Sequence, residues 1–60
     1  MRLVTCFEAA SRTTAELHGL YKEAFNAAAT AKPGSQELAN ALQSLRNIEA
    51  ELAVRAAPEP

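Results

Sequence analysis

The chain has little of what chemistry usually needs: one cysteine, one histidine, two glycines and no tryptophan in 60 residues. A lone cysteine, Cys6, excludes an intramolecular disulfide. Cys6 and His18 are the only soft metal donors, too few for a structural zinc site. Two glycines cannot build a phosphate-cradling loop. The three aromatics, Phe7, Tyr21 and Phe25, come without a basic stripe, so a single-stranded nucleic acid would find no stacking platform. Charge of one sign is also missing. Six basic against seven acidic side chains leave a net charge of −1. That balance argues against a nucleic-acid module, whose mark is a basic face, and against a basic membrane-surface helix. No apolar run approaches the roughly 18 residues of a spanning helix, and Leu3-Val4 ahead of Thr5 is too short for a secretory core. A cytoplasmic, reduced setting is the expectation.

Catalysis is not expected either. A thiol nucleophile needs a neighbouring base. On one straight helix Cys6 and His18 would stand roughly 18 Å apart at 1.5 Å per residue. No metal or cofactor set is assembled, and two helices enclose no pocket of enzymatic size.

What is present is helical periodicity. Phe7, Ala10, Leu17, Leu20, Tyr21, Ala24, Phe25 and Ala28 share one stripe, opposite Glu8, Arg12, Glu16, Lys22, Glu23 and Asn26. Lys32-Pro33-Gly34-Ser35 then breaks the pattern. Proline disfavours helix at Lys32, glycine tolerates a positive φ, and Ser35 is a good N-cap. A second stripe follows at Leu38, Ala41, Leu42, Leu45, Ile48 and Leu52. The pattern predicts an all-α fold, an antiparallel two-helix hairpin in a single domain over residues 1–57. Helix 1 is expected over about 5–30, a turn over 31–35, helix 2 over about 36–56, and a disordered tail over 58–60. Both Thr5-Cys6-Phe7-Glu8 and Thr13-Thr14-Ala15-Glu16 fit a capping box, so a soft spot is expected at residues 11–14. On a straight helix 1, Leu3 and Phe7 overhang the end of helix 2.

A chain this small is marginal alone and usually needs a staple or a partner. With no staple available, the stripes imply self-association: a homodimer that packs as a four-helix bundle. The residues expected at core or interface are Phe7, Leu17, Leu20, Tyr21, Ala24, Phe25, Leu38, Leu42, Leu45, Ile48 and Leu52.

Three further features stand out. Glu49 points into the apolar arc of helix 2, and hairpin register places His18 opposite it. The pair reads either as a pH-sensitive contact or binding hot spot, or as a seam-edge ion pair of little consequence or a glutamate whose stem packs while its head reaches water. Asn40, Ser44, Asn47 and Glu51 form one polar row at spacings of four, three and four. The row reads either as a recognition face for a partner or as an ordinary solvated face; Asn26 falls opposite Asn40 near the turn. The small residues Ala24, Ala27, Ala28, Ala29 and Ala31 suit close helix packing. Together these features predict a small cytoplasmic, non-catalytic protein–protein interaction module that self-associates through its apolar faces. The alternative is a regulatory protein that binds a larger enzyme or transcription complex as a monomeric hairpin.

Overall fold

A computed structural model describes residues 1–56 of the chain. Among the described residues the fold is all-α, with no strand and three helices rather than two. Residues 1–5 are non-helical and form an arm. Helix α1 spans Cys6–Ser11, α2 spans Thr14–Thr30 and α3 spans Gln36–Arg55. Ala57 and the tail expected over 58–60 lie outside the described residues.

The single first helix expected over about 5–30 is interrupted at Arg12 and Thr13, and the cause is local capping. The Thr13 hydroxyl accepts from the Glu16 N–H at 3.1 Å, and the Glu16 carboxylate accepts from the Thr13 N–H at 2.9 Å. That box starts a new helix, with Thr13 at φ −70°, ψ 160°. The N–H of Thr13 and the Thr13 hydroxyl also hold the Glu16 carboxyl below its ordinary pKa. Arg12 is likewise extended, at φ −92°, ψ 154°. Thr5 caps α1 with half of such a box: its hydroxyl accepts from the Glu8 N–H, while the Glu8 carboxylate turns to Arg2 and Arg12. Both capping signals in the sequence are therefore used, and the second one divides the helix.

At the other end of α2 the reversal is tight. Ser35 donates its N–H to the Lys32 carbonyl at 3.1 Å, and Gly34 sits at φ +78°. The left-handed region is costly for a residue with a Cβ, which is why glycine stands there. The Ser35 hydroxyl then accepts from the Leu38 N–H and caps α3.

The break changes the topology. The arm and α1 do not overhang α3 but fold back along it. Met1 lies at Asn40, Val4 at Ser44 and Asn47, and Ala9 at Arg55. The arm and α1 thus run parallel to α3. Helix α2 returns antiparallel, its first residue Thr14 beside Arg55 and its last turn joined to α3 by the reversal. Both α1 and α2 pack on α3.

The interior is narrow. Val4, Ala9, Leu17, Ala24, Ala41 and Ile48 are buried, and three of the six are alanines. Val4, Ala9, Leu17 and Ile48 form a cluster, with Met1, Leu20, Tyr21 and Leu52 packed partly against it. Of the remaining residues expected at core or interface, Leu38 and Leu45 are half-buried. Phe7, Phe25 and Leu42 face outward, at 86%, 58% and 47% exposure.

Candidate functional site: a polar track on α3

The polar row on α3 is neither plain solvated surface nor free. It holds the chain's own N-terminal arm. Residues 1–4 are outside any helix or sheet, so buried N–H and C=O groups among them must be bonded by something else. Ser44 is fully buried, and its hydroxyl accepts the Val4 N–H at 2.8 Å. Asn47 donates its amide N–H to the Val4 carbonyl at 2.8 Å. Asn40 donates to the Met1 carbonyl at 3.3 Å. These contacts read main chain, as a partner strand would. Only Cys6 adds a side-chain contact, its thiol donating to Asn47 Oδ1 at 3.3 Å. Asn40 and Asn47 are oriented by neighbours one turn earlier, since Gln36 donates to Asn40 Oδ1 and Gln43 to Asn47 Oδ1.

The far end of the track is an arginine. Glu51 accepts from Arg55 Nε at 2.8 Å, an i,i+4 pair that aims the guanidinium at the corner between α1 and α2. Arg55 Nη2 donates to the carbonyls of Arg12 at 2.6 Å and of Ala9 and Ala10 at 3.3 Å each. Nη1 reaches the Thr14 hydroxyl at 3.2 Å. A six-residue helix leaves its last carbonyls without intrahelical donors. Arg55 supplies them, using the fixed fork that suits guanidinium to several acceptors at once.

A second polar cluster tightens the arm itself. Both terminal nitrogens of Arg2 donate to the Glu8 carboxylate at 2.6 Å, and Arg12 adds a contact at 3.2 Å. The Arg2 hydrogen bonds, joined by those of Arg12, pull the Glu8 carboxyl down to about 2.

The face of the α2–α3 pair away from the arm is different. His18, Tyr21, Glu49, Leu52, Ala53 and Ala56 line a shallow groove there. His18 and Glu49 are brought to the same groove, but both are exposed and no hydrogen bond or ion pair joins them. Glu49 reaches water, so it needs no partner. Asn26 is exposed and does not meet Asn40, whose amide is taken by Met1 and Gln36. Phe25 lies two turns beyond His18 on α2, and Leu42 two turns before Glu49 on α3. Seven residues are nearly two full helical turns, so both sit on the grooved face.

Asn40, Ser44, Asn47 and Glu51 are legible in the sequence as a row, but what they bind is not. Arg55 and Val4 are missing from that row. Arg55 carries a visible signal, the i,i+4 spacing from Glu51. Val4 carries none, because its burial depends on a contact forty residues away. Among the described residues no cluster of three or more His, Cys, Asp or Glu side chains could hold a metal ion, and no helix is long and apolar enough to cross a membrane. Comparison with protein-family models, with curated proteins and with solved structures gives no significant match.

Proposed function

We propose that the chain is a non-catalytic protein–protein interaction module that self-associates through the grooved face of α2 and α3. One observation carries this reading. Phe25 and Leu42, at 58% and 47% exposure, lie on the side of the seam that the arm does not cover. Large apolar side chains left exposed together on one side of a helix seam support an interaction surface there. Two such faces packed together would set four helices side by side, with each arm on the outside. The polar track is then an internal fastening that keeps α1 on the far side and leaves the apolar face open. The exposed Cys6 thiol fits a reducing, cytoplasmic compartment.

Sedimentation equilibrium from micromolar to millimolar concentration tests the reading. The native chain should run as a dimer at the upper end. Phe25→Glu with Leu42→Glu should run as a monomer of unchanged helicity, because a carboxylate buried in an apolar contact disfavours association. A folded native monomer over the whole range refutes self-association and leaves the face to a different protein.

A further inference from the structure

We infer that the polar track is also a site for a second copy of this chain, which places its own arm and α1 there by exchange about a hinge at Arg12 and Thr13. This contact lies on the opposite side of α3 from the apolar face and is independent of it.

The seat has the properties exchange requires. Asn40, Ser44 and Asn47 bind the main chain at Met1 and Val4, so any segment with that backbone path and a small apolar side chain at Val4 would be held. The segment that fits is this chain's own, and every copy carries one. An exchanged arm would keep each of those bonds, now between chains, in a closed two-fold arrangement. Val4 and Ala9 would again be buried.

The hinge also has the properties exchange requires. Only Arg12 and Thr13 separate α1 from α2, and both are exposed. The residues around them support two conformations. In the observed one, Glu16 serves the Thr13 capping box. In a straight helix, Arg12 would lie one turn from both Glu8 and Glu16 and could pair with each, whereas here it pairs with Glu8 alone. The apolar stripe from Cys6 and Ala10 to Leu17 and Ala24 keeps helical spacing across the break, so straightening leaves its register intact.

Direction settles how the copies meet. The docked arm runs parallel to the α3 that holds it. A straightened arm continues along α2 and therefore runs antiparallel to its own α3. It can be held only by an α3 of opposite direction, and a two-fold axis near the Arg12 corner supplies one. Arg55 is the latch on this device. Its bonds to the Ala10 and Arg12 carbonyls, and its share of the Ala9 carbonyl that also accepts the Arg12 N–H, belong to the broken helix. Straightening would take those acceptors back into the backbone ladder.

The test keeps this contact separate from the apolar face. 15N-labelled Cys6→Ser chains are mixed with unlabelled Cys6→Ser chains carrying a nitroxide on Phe7→Cys, an exposed position of α1, and the two are refolded together from urea. All chains carry Phe25→Glu. Exchange predicts broadening of the Ser44, Asn47 and Ile48 amides of the labelled chains, rising with concentration. Arg55→Ala should increase it. Thr13→Pro should remove it, because proline suits the observed φ of −70° but disfavours a helix interior by roughly a hundredfold; since it also deletes both bonds of the capping box, unchanged helicity by circular dichroism is required of this variant. A second measurement uses Asn47→Cys, which pairs the introduced thiol with that of Cys6. Oxidised at millimolar concentration, this variant should give disulfides between chains on a non-reducing gel, and disulfides within a chain at micromolar concentration. Intrachain links at every concentration, with no broadening in the mixture, overturn the exchange whether or not the native chain dimerises. A dimer found by sedimentation would still stand on the apolar face.

Discussion

Ser44→Ala is a sharp test of how the arm is held. Ser44 is fully buried, and its hydroxyl is the acceptor for the Val4 N–H, itself on a residue only 1% exposed. Alanine removes the acceptor and leaves the donor buried. Such an orphaned group costs about 1–3 kcal/mol. Alanine also favours helix more than serine by a few tenths of a kcal/mol, which offsets a little of the loss. The net expectation is about 1–2.5 kcal/mol. A domain of this size has a total stability of roughly 3–9 kcal/mol at 0.05–0.15 per residue. One substitution that removes a single oxygen would therefore take a large share of it. At about 4–8 °C per kcal/mol, Tm should fall by roughly 4–20 °C. Thermal unfolding followed by circular dichroism, at one fixed protein concentration, measures this. Hydrogen exchange at the Val4 amide gives the local readout: slow in the native chain, fast in the variant. Arg46→Ala is the control, an exposed residue on the same helix, and should stay within about 0.5 kcal/mol. Native Tm and native Val4 protection in Ser44→Ala would refute the claim that this hydroxyl fastens the arm.

Other outcomes follow from the same packing. The Glu8 carboxyl is lowered from 4.5 to about 2 by Arg2 and Arg12. A depressed carboxyl stabilises the fold above its unfolded pKa, and that contribution is lost as pH falls from about 4.5 toward 2. Urea midpoints should drop over that window, and Glu8→Gln should flatten the slope there. Gly34→Ala should cost about 1–2 kcal/mol in urea unfolding, since a Cβ there meets nothing within 4 Å and the penalty is the φ of +78° alone; Gly34→Asn should cost less. Ile48→Ala, at a fully buried position, should cost about 2–5 kcal/mol. Leu42→Ala should barely move the unfolding free energy of the monomer and should instead weaken association, read by sedimentation.

Legibility in the sequence tracks the range of the interaction. The all-helical class is readable because apolar spacing is local. The reversal is readable because proline, glycine and serine each restrict the backbone by a mechanism of their own. The division of the first helix is only half readable. Thr5 with Glu8 and Thr13 with Glu16 carry the same capping signature, and nothing nearby says that both are used. The capping box makes the break, and Arg55, forty-one residues from Thr14, bonds the carbonyls beside it, a contact that no local pattern announces. The track is the least readable part. Asn40, Ser44 and Asn47 stand out as amide and hydroxyl in place of lysine and glutamate. Their acceptors and donors are backbone groups of residues 1–4, and backbone has no sequence signature. The outward placement of Phe7 follows from the same cause. Once the arm folds back, Ala9 faces α3 and Phe7, two positions away on a helix, cannot.

Three lengthwise passes are an odd number, and this sets where Met1 and Ala56 lie. Met1 sits level with Asn40 and Ala56 follows Arg55 at the opposite pole. Sixteen residues of helix from Asn40 to Ala56 amount to about 24 Å at 1.5 Å per residue. Met1 and Ala56 therefore stand well apart along α3, and fluorophores attached at these two positions would report that separation by their energy transfer.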